Sequence, residues 1–242
     1  MPSHCFLFYA PQLDRSSGEI SVDGEEHHHI CNVLRLSEGD RIHVTNGCGL
    51  IVSAVLKAVA RNRSVAEVID IAHEERERPA VVLALALLRK DRFAQAVEQC
   101  TELGMAQCLP FVCPGSRVDR FGEGTLRRLQ RVAIAAMKQS FRAYLPTICA
   151  PVEFGELEAR VRSTQNVFLG GRGSPAMPFA VRGEALVIVG PESGLGQEEV
   201  ATLSAAGASR VSVSPHRLRS ETAAGALVAA AVRAIDSAAS TI

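Results

Sequence analysis

The sequence predicts two domains of different character: a small, strongly curved β-sheet or barrel over residues 1–73 and a largely parallel α/β domain over residues 80–242. Three observations carry this. Before residue 74 the apolar runs are short, β-type and separated by Gly, Asp and Asn. After Pro79, apolar strand-like runs alternate with stretches of helical spacing. Between them lies the charge run "EERERP", too polar to pack, which reads as a linker over residues 74–79. A chain of 242 residues is long enough to bury a sizeable core.

In the first domain "CFLFYA", "DRIHVTN", "LIVSAVLKAV" and "SVAEVIDIA" are predicted strands. One helical insert, "GEEHHHICNVLRL", places His29, Val33 and the Leu34/Leu36 region near one face before "SEGD" stops it. The second domain opens with "AVVLALALL", apolar on consecutive positions as a strand covered on both faces would be. "DRFAQAVEQCTELG" follows with Phe93, Ala96, Val97, Cys100 and Leu103 at helical spacing; Asp91 is its expected cap and Gly104 its stop. "AQCLPFVC" is strand-like, and "TLRRLQRVAIAAMKQS" is a helix with Leu126, Leu129, Val132, Ala133, Ala136 and Met137 on one stripe. "NVFLGG", "ALVIVG" and "RVSVS" are further strands, with the helix "GQEEVATLSAAG" between the last two. "SETAAGALVAAAVRAI" is the final helix.

Composition narrows the function classes. The formal net charge is zero, so any nucleic-acid contact must come from a local patch. Seven cysteines without C-x-x-C spacing fit free thiols in a reducing compartment better than disulfides or a zinc site. The start "MPSHCFLFYAPQLDR" has no signal-peptide pattern, and the longest apolar runs are too short to span a bilayer. A soluble cytoplasmic protein with no membrane contact is expected. The consecutive His27, His28 and His29 point in different directions on a helix and do not converge as ligands, so no metal is expected.

Two loops are dense in chemistry. In an open α/β sheet, ligands sit beyond the carboxyl ends of the strands. "GPESG" leaves the strand "ALVIV" there, with Gly190 and Gly194 permitting tight turns and close backbone approach and Pro191 stiffening the first corner. It matches neither G-x-G-x-x-G nor G-x-x-x-x-G-K-[ST], so dinucleotide and nucleoside-triphosphate readings lose their usual support. "SPHRLRSETAAGAL" gathers His216, Arg217, Arg219 and Glu221 before an alanine-rich helix. From Arg117 to Arg142, six arginines and one lysine face only Asp119 and Glu123, a local positive block suited to phosphate. Arg35, Arg41, Arg61 and Arg63 form a weaker basic set in the first domain. A solvated helix face laced with ion pairs is the alternative for Arg127 and Arg128.

Taken in order, "HHHICNVLRLSEGD", "EQCTELG", the spaced Ala136, Gln139, Ser140, Arg142 and Pro146, "GPESG" and "VSPHRLRSETA" resemble the 16S rRNA uridine N3-methyltransferase family. That family belongs to the SPOUT class of knotted α/β methyltransferases, and the resemblance covers nearly the whole chain. It implies a C-terminal trefoil-knotted SPOUT domain and an N-terminal PUA-like β-barrel that binds RNA. It also implies S-adenosyl-L-methionine as cofactor, 16S rRNA in the 30S subunit as partner, and a homodimer through the C-terminal domain. The small residues of "AAGALVAAAV" are compatible with close helix approach in such a dimer.

Residue by residue, the resemblance implies cofactor contacts at Leu169, Gly170, Ile188, Gly190, Pro191, Glu192, Gly194, Val213, Leu218 and Arg219, largely through backbone groups. Arg35, Arg41, Arg92, Arg117, Arg127, Arg128 and Arg142 are the expected RNA contacts. N3 of uracil attacks only after losing its proton, and an arginine fork suits the charge then spread over the carbonyls. Arg219 is the expected catalytic fork and Glu221 its orienter or the proton acceptor, with Ser220 or Thr222 capping the helix. A competing account makes Arg219 a brace to Glu221 or Glu192. The chain departs from the family pattern at Gln99 for lysine, at Ser193 and Ser214 for glycine, at His4 for arginine, and in "FLGGRGSP" for an acidic stretch. Two alternatives remain open: an RNA-binding or ribosome-assembly factor that has kept the fold without the methyl donor, and a knotted methyltransferase for another rRNA or tRNA site.

Overall fold

The computed structural model describes residues 6–74, 80–114 and 121–239; Arg117, among the expected RNA contacts, lies outside the described residues. The chain divides into one unit of Met1–Arg76 with Met137–Leu145 and a second of Glu77–Ala136 with Pro146–Ile242. The segment Met137–Leu145, placed by its sequence in the second domain, therefore packs with the first. Its tethers are specific: Lys138 Nζ lies 2.5 Å from Glu26 Oε1, and the Tyr144 hydroxyl donates to the Glu74 carbonyl at 2.8 Å. Periodicity continues smoothly through a helix and does not reveal that its last turn changes partners.

The first unit contains β1 (Leu7–Tyr9), β2 (Glu19–Asp23), α1 (Gly24–His28), a π-helical turn (His29–Val33), β3 (Arg41–Thr45), β4 (Leu50–Val59) and β5 (Arg63–His73). They form a five-stranded sheet in the order β1-β3-β4-β5-β2, parallel only at β1–β3. Along β4 the alternate residues Leu50, Val52, Ala54 and Leu56 are buried, the period of a sheet with one face on a core. Register shifts at Ser53/Ala54 and Leu56/Ala58 bend the β4–β5 pair, supplying the curvature expected of this domain.

The helical insert is shorter than its spacing predicts, and its inward face differs. Ile30 and His27 are buried while Val33 is 60% exposed, because the π-helical turn rotates Val33 away from the core. Leu34 and Leu36 do pack against the core, and His29 meets the Phe8 ring edge-on at 5.9 Å. His27 Nδ1 lies 2.9 Å from Ser64 Oγ and His28 Nδ1 3.0 Å from the Asn32 amide, so the three histidines serve three separate neighbours.

The second unit contains β6 (Val81–Ala86), α2 (Lys90–Glu102), β7 (Gln107–Val112), α3 (Glu123–Gln139, its last turn in the first unit), β8 (Thr147–Ile148), β9 (Val152–Glu153), α4 (Phe154–Ser163), β10 (Asn166–Gly170), β11 (Ala185–Val189), α5 (Gln197–Ala205), β12 (Ser209–Val211) and α6 (Ser220–Ala239). Its sheet runs β12-β10-β11-β6-β7-β8, with β9 also on β7, and every pairing is parallel. Every residue of β6 and β11 is buried, as consecutive apolar runs require of central parallel strands. Helix α2 starts one residue before Asp91, so Arg89 holds the cap position and Asp91 sits in the first turn. Its other end closes as expected: Gly104 adopts φ +102°, and Met105 N–H donates to the Cys100 carbonyl at 2.9 Å.

Two further details position the site. Ala223 N–H donates to the Arg219 carbonyl at 2.8 Å, which makes Arg219 the N-cap residue of α6. Ser220 and Thr222, the expected caps, lie inside the helix instead. Gly225 on α6 packs toward the C-terminal end of α2, where a Cβ would stand in ordinary contact, 3.5 Å from Leu103 Cδ1. At Gly225, the small-residue helix therefore packs within the chain. Among the described residues, no helix is long and apolar enough to cross a membrane.

Candidate active-site cleft

Because β6, β10, β11 and β12 are parallel neighbours, their carboxyl ends open on one edge of the sheet. A cleft of about 1440 Å³ lies there, walled by the segments that leave these four strands and by Cys113 and Pro114 just after β7. Val189, Leu195, Val211, Leu218 and Leu227 give it apolar surface, and Glu192 and Glu199 bring carboxylates. Arg89, Arg92, Arg172, Arg217 and Arg219 supply guanidinium groups.

The loops are held by short-range bonds. Gly194 N–H donates to the Pro191 carbonyl at 2.8 Å, and Gly194 has φ +82°, a conformation that favours glycine. A Cβ on Gly190 would lie 2.9 Å from Leu195 Cγ and 3.1 Å from its backbone nitrogen; one on Gly170 would lie 2.8 Å from Leu227 Cδ1. Both glycines therefore let a cleft-lining leucine pack directly on backbone. Gly196 N–H donates to the Glu199 carboxylate at 2.5 Å and fixes the start of α5. Arg217 Nη2 donates to the Glu192 carbonyl at 3.2 Å, joining the loop after β12 to the loop after β11.

Both serines that depart from the family pattern fit locally. Ser214 Oγ accepts His216 N–H at 3.1 Å, and Ser193 Oγ lies 3.3 Å from the Gly194 carbonyl.

The deepest polar contact joins α2 to α6. Arg92 Nη1 donates to Glu221 Oε1, with the Glu221 side chain 4% exposed and that of Arg92 35%. Glu221 Oε2 is buried and has no hydrogen-bond partner among the described residues. Arg219 is exposed and forms no hydrogen bond or ion pair through its side chain among the described residues. The brace imagined for Arg219 is thus made by other arginines: Glu221 turns inward to Arg92, and the Glu192 carbonyl takes Arg217. Cys113 also reaches the cleft, its thiol pushed up to about 12 by burial and then by the charge of Glu199.

Of the expected cofactor contacts, Gly170, Pro191, Glu192, Gly194, Val213, Leu218 and Arg219 line the cleft. Leu169 and Ile188 are core residues, 1% and 0% exposed, and Gly190 lies behind Leu195. None of those three lines the cleft. Glu221 is beneath the wall, holding Arg92, rather than on it. The sequence reading missed Arg89, Arg172, Leu195, Glu199, Val211 and Leu227. Arg89, Arg172 and Leu195 were within reach of the rule that ligands sit just past strand ends.

Among the expected RNA contacts, Arg92 lies in the cleft. Arg127 is 3.6 Å from Glu123 and Arg128 3.0 Å from Asp91, both as exposed pairs of the weak kind that leave a guanidinium available to phosphate. Arg35, at φ +55°, and Arg41 are exposed in the first unit; Arg142 is half-buried.

Comparison with known proteins agrees with this organisation. The model of an RNA methyltransferase domain matches residues 75–232, and that of an RNA methyltransferase PUA domain matches residues 22–69. The protein is thus an RNA methyltransferase in class, with an N-terminal PUA-like domain and a C-terminal methyltransferase domain. The chain is 30% identical over 241 residues to ribosomal RNA small subunit methyltransferase E of Mycobacterium tuberculosis (strain CDC 1551 / Oshkosh), covering 93% of this chain and 90% of that one. It is 29% identical to the protein of the same name from Bacillus subtilis (strain 168), over 90% of this chain and 91% of that one. The chain belongs to the ribosomal RNA small subunit methyltransferase E family.

Solved structures share the fold. A probable rRNA-methyltransferase from Porphyromonas gingivalis superposes with TM-score 0.81 at 27% identity, covering 96% of this chain and 98% of that one. Ribosomal RNA small subunit methyltransferase E from Neisseria gonorrhoeae, bound to S-adenosyl methionine, gives TM-score 0.83 at 23% identity, covering 94% and 96%.

Proposed function

We propose that this protein transfers a methyl group from S-adenosylmethionine to N3 of a uridine in 16S rRNA of the 30S subunit. The observation that carries this reading is the convergence of Gly170, the Pro191–Gly194 turn and the Ser212–Arg219 loop on one cleft at the carboxyl edge of the sheet. The residues present fit the cofactor. The apolar walls at Val189, Leu195, Leu218 and Leu227 suit a flat purine, and Glu192 and Glu199 suit cationic sulfonium and ammonium groups. Gly170 and Gly190 seat two of these apolar side chains, Leu227 and Leu195, directly on backbone.

When bound, S-adenosylmethionine supplies an electrophilic methyl on a positively charged sulfur. The protein's own task is to present the uracil edge and stabilise charge as its N3 proton leaves. Arg219, unpaired at the N-cap of α6, contacts that edge, where the helix N-terminus adds positive potential. Arg35, Arg41, Arg127, Arg128 and Arg142 hold phosphates without reading bases. The protein works in the cytoplasm as a homodimer through the second domain; support for the second copy comes from Phe179, 94% exposed on that domain.

Unmethylated 30S particles, the purified protein and labelled cofactor test the reading, with mass spectrometry of the rRNA digest. A single N3-methyluridine is expected. Absence of cofactor binding by calorimetry, or a methyl on another atom, would overturn it. Sedimentation at micromolar concentration should show a dimer; a 25.8 kDa species with full cofactor affinity would remove the second copy from the proposal.

A further inference from the structure

We infer that Arg92 is a catalytic residue of this cleft, its guanidinium fixed by Glu221 to take the negative charge that develops on a uracil carbonyl. The inference rests on the reading of the cleft given above and goes beyond it in naming the group that is organised before the substrate arrives. Five arginines line the cleft, and they differ in how they are held. Arg89, Arg172 and Arg219 are exposed and unpaired among the described residues, and Arg217 is an exposed donor to a backbone carbonyl. Arg92 alone among these five is bonded to a buried carboxylate.

Glu221 does not reach the cleft wall while Arg92 does, so the carboxylate holds the guanidinium from behind. One nitrogen, Nη1, is committed to Glu221 Oε1; a guanidinium has five N–H donors, which leaves others for a ligand. A donor fixed in advance needs no reorganisation as charge develops, the condition under which such groups contribute most. With Oε2 of Glu221 otherwise unpartnered among the described residues, Arg92 is the only cation seen to balance that buried charge. The carboxylate keeps Arg92 in place.

The N3 proton passes to water and its electron pair stays on the ring, spread over O2 and O4. That pair forms the bond to the methyl carbon while the carbon–sulfur bond breaks and returns its electrons to sulfur. Arg92 stabilises the anion in between, and so favours ionisation of N3. The titrating groups on the cleft wall are Glu192, Glu199, His216 and Cys113, and none is hydrogen-bonded to Arg92 among the described residues.

Two measurements test the inference. The first is single-turnover methylation of 30S particles as a function of pH, beside a melt and a cofactor titration. Arg92→Lys should keep fold and cofactor affinity, lose about 100-fold in rate, and move the acid limb of the profile to higher pH. The second omits the cofactor and compares binding of pentauridylate with its 5-fluorouridine counterpart, whose N3 ionises at lower pH. Wild type should prefer the fluorinated oligonucleotide, and Arg92→Lys should lose the preference. The double variant Arg92→Ala/Glu221→Gln, which removes both charges together, should lose it too. A wild type with no preference, or an Arg92→Lys protein with the wild-type limb and preference, overturns the assignment. A wild type that binds cofactor but leaves 30S particles unmethylated overturns the broader reading instead, and the oligonucleotide preference still decides Arg92.

Discussion

Arg92 in the first turn of α2 donates to the buried carboxylate of Glu221 in the first turn of α6, across 129 residues of sequence. The contact joins the helix that follows β6 to the helix that follows β12. Arg92→Ala leaves Glu221 without its cation and should destabilise the protein by about 3 kcal/mol in urea unfolding. Arg92→Ala/Glu221→Gln should recover part of that loss, since no buried charge remains. Equal midpoints for single and double variants would show that the pair is not coupled.

Gly190 and Gly194 should respond differently to valine. At Gly190 the new side chain collides with Leu195 and must push it into the cleft, so cofactor affinity should fall far more than affinity for 30S particles. At Gly194 a Cβ meets open space, but the left-handed backbone makes a side chain strained by about 1–2 kcal/mol, which should appear as a lower melting temperature. A folded Gly190→Val protein with unchanged cofactor affinity would take this turn out of the site.

Arg219 is exposed and lacks a side-chain partner, so its removal should not cost stability. Arg219→Lys and Arg219→Ala are expected to melt with the wild type while turnover falls, more steeply for alanine. If activity, melting temperature and cofactor affinity fell together, Arg219 would be a structural brace after all.

The thiol of Cys100, buried in α2, is pushed up to about 12 by desolvation. Above the ordinary thiol range the unfolded chain releases this proton and the folded chain keeps it. Stability is therefore fully present below about pH 9 and declines between pH 9 and 12, with a slope up to about 1.4 kcal/mol per pH unit from this group. Urea unfolding between pH 8 and 11 should show the decline, and Cys100→Ala should lessen it, with the buried thiols of Cys108 and Cys113 supplying the remainder. An identical slope in that variant would assign the decline to other groups.

Much of this was legible in the chain. Consecutive apolar positions marked β6 and β11 as doubly covered strands, and alternation in β4 matches its single buried face. The strand-end rule pointed to the edge of the sheet where the cleft lies, and seven residues expected to contact the cofactor line it. Short elements escaped: β2 offers only Ile20 and Val22 as buried apolar residues, and β8 and β9 have two residues each. Pairing across the fold escaped for a different reason. Sequence proximity favoured Arg219 as the partner of Glu221, whereas the helix turns Glu221 inward toward Arg92, and a contact spanning 129 positions has no local signature.

The parallel order of the second sheet also determines when the protein becomes competent. The wall of the cleft draws on segments from Arg89 to Leu227, and its last side is contributed by β12 and the start of α6. A nascent chain emerging from its N-terminus has the earlier strands long before those segments appear, so the cleft acquires its full wall only after β12 and the first turns of α6 have been made. The arrangement is rich in contacts between distant residues, a topology that slows folding. A chain stopped before α6 would lack the side of the cleft that Ser220, Ala223 and Leu227 contribute.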